Sequence, residues 1–325
     1  MTSTICVIIP YYQTSPEPLR RAITSVFNQS NVNTPNIIIV DDSSPIPAVD
    51  IINEYFLSQN SHITIIHQDN AGAASARNTG LDNQPPATEF TAFLDSDDEW
   101  TSDHLFNAIS ALNKGYDFYF SDHQRTEWTS SKFSQINLKL DLHTKINDDL
   151  ELYQYLGNPL KNILMDHMIQ TSSVVYNSTK IKSVRFPTEL KLGEDEIFWI
   201  KAIKLSNKIC FSKKIESVLG KGVNISQDNT FNSEKHCELL LQNCRYWKHI
   251  FHYIPIDNNI KYVKELRLKQ LSDNIADVLI YRIKNKQDLP YNLIAKFTYH
   301  NPEWIFAFIK KIKIKFIEKL STLKI

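Results

Sequence analysis

The feature that most constrains this chain is a series of short apolar segments, each stopping abruptly at polar or acidic residues. Ile5-Cys6-Val7-Ile8-Ile9 ends at Pro10-Tyr11-Tyr12, Ile37-Ile38-Ile39-Val40 at Asp41-Asp42, and Phe90-Thr91-Ala92-Phe93-Leu94 at Asp95-Ser96-Asp97-Asp98. Residues 62–67 form another segment of this kind. Such runs lack the alternation of a half-exposed strand and read as strands covered on both faces.

Helical patterns fill the gaps. Pro16 and Pro18 open a helix that carries Leu19, Ile23, Val26 and Phe27 at helical spacing. Residues 48–58 place Val49, Ile52, Tyr55 and Phe56 on one side, and residues 72–82 form a third helix. Four strand–helix alternations predict a parallel sheet covered by helices. Ligands of such sheets bind beyond the carboxyl ends of the strands, where the polar clusters fall, so three clusters converge. The middle is less regular. Strands are expected at 116–120 and 171–176, a helix at 194–206 with Ile197, Ile200 and Ile203 on one side, and mostly helix from about 231.

Composition removes several function classes. Only seven glycines argue against a glycine-rich dinucleotide fold, and 36 basic against 36 acidic residues give no pull toward nucleic acid. None of the four cysteines stands in a CxxC pair; Cys6 reads as a small buried hydrophobe, and the pattern suggests a reducing compartment. The N-terminus has no basic leader region, and no apolar run approaches the roughly 18 residues of a membrane span. A soluble, cytoplasmic protein is expected.

Each polar cluster admits a chemical and a structural reading. Asp95 and Asp97, two apart at a strand end, suit a hard cation such as Mg²⁺ or Mn²⁺, or belong to a polar turn. Of Asp41 and Asp42, one faces a ligand and accepts from a nucleobase or ribose, or the pair forms an Asx turn. Arg77, in Asn70-Ala71-Gly72 through Arg77-Asn78, is a fixed cation for base or phosphate, or the small residues pack a helix tightly on the sheet. Gly193-Glu194-Asp195-Glu196 opens a helix, where acids are favourable without any function.

Taken in order, Val7-Ile8-Ile9-Pro10-Tyr11-Tyr12, Val40-Asp41-Asp42-Ser43-Ser44, Asn70-Ala71-Gly72 to Arg77-Asn78, Phe93-Leu94-Asp95-Ser96-Asp97-Asp98 and Gly193-Glu194-Asp195 resemble the family 2 glycosyltransferases across residues 5 to about 205. The resemblance implies an α/β GT-A sheet flanked by helices at 1–225, with a donor half to about 100 and an acceptor half from 101, and a mostly helical extension at 226–325. It implies an inverting enzyme that moves a hexose or N-acetylhexosamine from a nucleotide sugar, UDP by analogy, to a glycan or lipid-linked saccharide in bacterial surface polysaccharide synthesis. Pro10 and Tyr11 would line the base pocket, Asp41 or Asp42 would bind uracil or ribose, and Arg77 would contact the nucleotide. Asp95 would hold ribose or a metal-bound water, Asp97 the Mn²⁺ or Mg²⁺, and Asp195 would be the general base. Lys221 and Asn224 fall where the family places a loop over the donor. A non-catalytic nucleotide-sugar-binding subunit is the rival on the same fold.

Some positions depart from the family or stand outside it. Ser43 stands where the family often has glycine. Gln242-Asn243-Cys244-Arg245-Tyr246-Trp247 falls one residue short of the processive Gln-x-x-Arg-Trp, so Tyr246 and Trp247 read as helix packing. His123, His167 and His236 are candidates for a third metal ligand, although core or surface histidines account for them as well. In the basic tail, 301–325, Ile305, Ile309, Ile312, Phe316 and Leu320 share a helical face, with Lys310, Lys311, Lys315 and Glu318 opposite. Such a helix suits an anionic membrane at the inner face of the cytoplasmic membrane, or packs on the protein.

Overall fold

The computed structural model describes residues 3–221, 230–254 and 257–322, with side chains as far as residue 314. The chain divides into two compact units, Met1–Glu189 with Glu194–Asn224, and Leu190–Gly193 with Ile225–Ile325.

The first unit begins with the alternation read from the sequence. β1 (Ile5–Tyr11), α1 (Glu17–Phe27), β2 (Asn36–Asp41), α2 (Ala48–Tyr55), β3 (Ile63–His67), α3 (Ala73–Asp82) and β4 (Phe90–Phe93) follow in order. β3, β2, β1 and β4 lie side by side and parallel, with Cys6 opposite Asn36 and Ile5 opposite Phe90. Every residue of β1 and of β4 is buried, which explains why neither strand alternates.

Beyond β4 the sheet changes direction. β5 (Glu99–Trp100), α4 (His104–Leu112), β6 (Phe118–Arg125), α5 (Lys132–Gln135), β7 (Thr144–Asn147), β8 (Leu152–Gln154), α6 (Pro159–Asp166), β9 (Val174–Asn177), α7 (Glu194–Leu205) and β10 (Ile209–Leu219) complete the unit. The described residues form one ten-stranded sheet, ordered β3-β2-β1-β4-β9-β6-β10-β8-β7, with the two residues of β5 on β10. β9 runs antiparallel to both β4 and β6, so the sheet is mixed and not wholly parallel.

Three local expectations change. Thr171–Ser173 is a 3-10 turn, and the strand begins only at Val174. β10, eleven residues long, has no counterpart in the sequence reading, because Lys213 and Lys214 interrupt its apolar run where the pairing with β6 shifts register. α2 turns Ala48, Ile51 and Ile52 inward and leaves Val49 and Tyr55 exposed. Both sets follow helical spacing, and the guanidinium of Arg20 covers the Tyr55 ring at 5.2 Å.

Aromatic packing seats the elements that carry the polar clusters. Phe186 stacks on Phe198 of α7 at 4.1 Å, and Phe93 of β4 meets Phe186 edge-on at 5.3 Å. The first turn of α7 is thereby held against the end of β4. On β1, Ile8 lies so close to α3 that a Cβ at Gly80 would stand 2.4 Å from its Cγ2. Small residues in this helix do serve tight packing on the sheet.

The second unit is helical: α8 (Glu234–Tyr253), α9 (Asn258–Lys284), α10 (Tyr291–His300) and α11 (Trp304–Thr322). Ser233 and Asp257 cap α8 and α9 through side-chain oxygens that accept from His236 N–H and from Asn259 and Ile260 N–H. Tyr246 and Trp247 are both buried in α8, as their reading as packing residues requires. α11 packs on α9, where Lys311 meets Asp277, while Trp304 donates to Thr298 of α10; Ile305, Ile309 and Ile312 face outward. No described helix is long and apolar enough to cross a membrane.

Gly80→Ala has to displace Ile8 and should destabilise the protein by about 1–3 kcal/mol, the usual cost of overpacking. Denaturant unfolding measures this, and unchanged stability would show that α3 shifts freely on the sheet.

Candidate active site

The sequence clusters meet at the carboxyl ends of β1, β2 and β4, but their carboxylates do different things. Asp41 Oδ1 accepts from Ser44 N–H and Oδ2 from Ala48 N–H, both at 2.8 Å. It closes a turn and satisfies the first amide of α2. Asp42 Oδ1 accepts from Gln68 Nε2 at 2.7 Å and from Ala71 N–H at 2.8 Å, while Oδ2 accepts from Gly72 N–H at 2.8 Å. Both acids are buried, and Asp42 shapes the loop that enters α3. Ser43 between them adopts φ +55°, a conformation glycine takes at no steric cost. Its hydroxyl donates to Gln68 O at 2.9 Å, a contact glycine lacks.

α3 then delivers Arg77 to the end of β4. The side chain is buried, with Nη2 2.7 Å from Asp95 Oδ1 and Nη1 3.5 Å from Glu194 Oε1. Its guanidinium lies 5.3 Å from the centre of the Phe186 ring. Burial opposes the positive charge, but Asp95 and Glu194 more than offset it, and the pKa of Arg77 rises. Nε of Arg77 has no hydrogen-bond partner among the described residues.

The turn after β4 is tied down by Ser172. Its Oγ accepts from Asp95 N–H at 3.0 Å and donates to Asp98 Oδ2 at 2.6 Å. Its carbonyl accepts from Trp100 Nε1 at 2.6 Å and from Ser217 Oγ at 2.8 Å. Asp98 Oδ1 accepts from Gly220 N–H at 2.9 Å. Burial, then the charges of Asp95 and Asp97, push the Asp98 carboxyl well above its ordinary range. Asp98 is therefore a structural clasp between this turn and the end of β10. A Cβ at Gly220 would stand 1.9 Å from the carbonyl oxygen of Asp97, so only glycine lets the two backbones touch. Asp97 itself is half-buried.

At the start of α7, Asp195 Oδ1 accepts from Glu196 N–H at 2.8 Å. Burial, then repulsion from Glu194 and Glu196, raises its carboxyl to about 7, against the pull of Arg77. His167 Nδ1 contacts Glu196 Oε1. Pro10 is buried opposite Val40. Tyr11 is buried with its hydroxyl donating to Ile46 O at 2.8 Å, and its neighbour Tyr12 is exposed. Lys221 is exposed, 3.5 Å from Glu127. Asn224 lies outside the described residues.

The three candidate histidines do not assemble with Asp95 and Asp97. His123 is buried, and burial lowers its pKa to about 3; His236 belongs to the second unit and packs on Phe231 at 5.6 Å. Among the described residues no group of three or more His, Cys, Asp or Glu is placed to hold a metal ion. Ser172, Gly220 and Gln68 were missed from the sequence. Gly220 had a signal, as one of only seven glycines and adjacent to a serine–valine–leucine strand end; Ser172 and Gln68 had none.

A helix-flanked α/β sheet of this kind, with acids gathered at its strand ends, has the architecture of the GT-A fold. Residues 6–176 match the family described as Glycosyl transferase family 2, and the chain belongs to that family. It is 36% identical over 227 residues to the succinoglycan biosynthesis protein ExoW of Rhizobium meliloti (strain 1021), covering 68% of this chain and 70% of that one. Its fold is similar to that of S. aureus TarS 1-349 in complex with UDP-GlcNAc, with a TM-score of 0.58, 17% identity, and 94% and 83% of the two chains covered. A longer TarS chain is matched over 43% of its length. The mannosyltransferase PcManGT from Pyrobaculum calidifontis, in complex with GDP-Man and Mn²⁺, gives a TM-score of 0.59 at 12% identity, with 94% and 84% covered.

Ser172→Ala removes one acceptor and one donor from this turn. It should cost about 1–3 kcal/mol, as for a buried polar group left without its partner. Thermal denaturation reads the effect; a wild-type melting temperature would show the turn to be self-supporting.

Proposed function

We propose that this protein is an inverting transferase that moves a hexose or N-acetylhexosamine from a nucleotide sugar, with UDP as the nucleotide, to a glycan or lipid-linked saccharide in bacterial surface polysaccharide synthesis, on the cytoplasmic side. The observation that carries this reading is the contact of Arg77 with both Asp95 and Glu194. It joins the acids at the end of β4 to the helix that bears Asp195, so donor and base positions share one site. The part of ExoW in succinoglycan biosynthesis supports polysaccharide synthesis, and the UDP-GlcNAc in complex with TarS supports UDP.

In this reading Asp195 takes the proton of the acceptor hydroxyl as its oxygen attacks the anomeric carbon. The bond from that carbon to the diphosphate breaks on the opposite face, and its electrons leave with the nucleoside diphosphate. A carboxylate with a pKa of about 7 is matched to this task near neutral pH. Arg77 holds Asp95 in place and puts a fixed positive charge beside the donor. Pro10, Tyr11, Asp41 and Asp42 form the wall of the nucleotide pocket, the two aspartates chiefly by fixing backbone amides. Lys221 offsets charge on the diphosphate, and Asn224 is assigned to bind it.

A divalent cation fits a site of this kind in one way. With no third protein ligand among the described residues, Asp97 and Asp95 would hold Mn²⁺ or Mg²⁺ together with diphosphate oxygens and water, the usual economy of such sites. The ion would supply charge neutralisation of the departing diphosphate.

Asp195→Asn should lower transfer by about 10²–10⁴-fold and leave donor affinity near wild type. For the wild type, kcat/KM should rise with pH through about 7, because the base acts deprotonated; the variant should lose this limb. The same shift has a stability consequence. An Asp that ionises near 4 unfolded and near 7 folded lowers folding stability as pH rises through that window, so the variant should melt higher than wild type at alkaline pH. Transfer within a factor of a few of wild type would leave Asp195 as a helix-start acid only and move the base to Glu194 or Glu196.

Asp97→Ala should abolish the part of UDP affinity that depends on Mn²⁺ and spare the metal-independent part. Calorimetry with and without Mn²⁺ measures both. A metal-coupled gain equal to wild type would take the cation away from this residue.

A further inference from the structure

The last helix of the second unit carries an apolar surface that the described residues leave uncovered. Trp304 is buried against its unit, and Lys311 Nζ lies 2.7 Å from Asp277 Oδ2 and donates to Asp273 O at 3.1 Å. Residues 304 and 311, two turns apart, share one side of a helix. The other side carries Ile305, Phe306, Ile309 and Ile312, all exposed, Phe306 by 75% and Ile309 by 57%. Exposed Lys313 falls among them and exposed Lys310 at their edge, beyond Phe306. Residues 304–314 contain neither Asp nor Glu.

We propose that this face of α11 lies on an anionic lipid surface. Phe306 and the isoleucines enter the boundary between headgroups and acyl chains, and Lys310 and Lys313 extend their stems along it to reach lipid phosphates. The Lys311–Asp277 pair uses the lysine that would otherwise compete for the same surface and keeps the apolar side turned out. Interleaved charge decides between occupants. A symmetric contact with a second copy would bury Lys310 and Lys313 against the same lysines, with no carboxylate among residues 304–314 to compensate them. A lipid surface offers a phosphate for each lysine. With no described helix long and apolar enough to span a bilayer, α11 lies in the plane of the interface. This inference does not depend on the catalytic reading.

The test is flotation of the full chain with vesicles of phosphatidylcholine, with and without phosphatidylglycerol. Binding is expected only with the anionic lipid at low salt, weakening as ionic strength rises. Lys310→Gln with Lys313→Gln should lower partitioning on the order of thirtyfold. Phe306→Asp with Ile309→Asp should abolish it at an unchanged melting temperature, because both side chains are exposed. Full-length protein that stays with the soluble fraction at low salt overturns the proposal. So does flotation of the Lys310/Lys313 variant equal to wild type, or a lipid-free dimer that the Phe306/Ile309 variant converts to monomer.

Discussion

The site depends on one buried cation. Arg77 is held on Asp95 at 2.7 Å and reaches Glu194 at 3.5 Å, and so ties the end of β4 to the start of α7. A buried pair of this kind need not add net stability, because its desolvation offsets its attraction. Removing one member is another matter, since the remaining charge stays in the interior at a cost of about 3–5 kcal/mol. Arg77 is therefore better seen as a constraint on geometry than as a source of stability. Lysine in its place could not span two carboxylates with a planar fork.

Around this contact the carboxylates divide their labour. Asp41, Asp42 and Asp98 spend their oxygens on backbone amides and hydroxyls. They define where the strand-end loops run. Asp95 and Glu194 hold Arg77. Asp97 and Asp195 are the two to which chemistry is assigned. Three acids flank the first turn of α7, and the repulsion among them, added to burial, raises Asp195 to about 7. In the proposed reading, crowding like charges at one helix start suits this aspartate to act as a base near neutral pH.

The donor half was legible because its signal is local. Each apolar run of β1, β2 and β4 and the acids ending it are contiguous in sequence, so strand and site residue are read together. The family motifs, in order, then identified the glycosyltransferase. What stayed hidden is what the sheet brings together from afar. Ser172 has no distinguishing neighbour in Thr171-Ser172-Ser173, and its importance arises only when β9 is inserted between β4 and β6. β10 was missed because its register shifts absorb two lysines that disrupt the apolar pattern. The tail is helical over Trp304–Thr322, but periodicity alone could not say which side its own unit would cover, and Ile305, Ile309 and Ile312 lie on the outer one.

The contact between Gly220 and Asp97 has a consequence for biosynthesis. The turn that carries Asp97 and Asp98 is emitted by the ribosome more than 120 residues before its clasp, because Asp98 accepts from Gly220 at a separation of 122. Loops closed over such distances form late, after the domain has otherwise been translated. A nascent chain stopped before β10 would display the complete donor motifs and yet lack the backbone that holds them. Residues 95–98 thus gain their last backbone partner only when the end of β10 has been made.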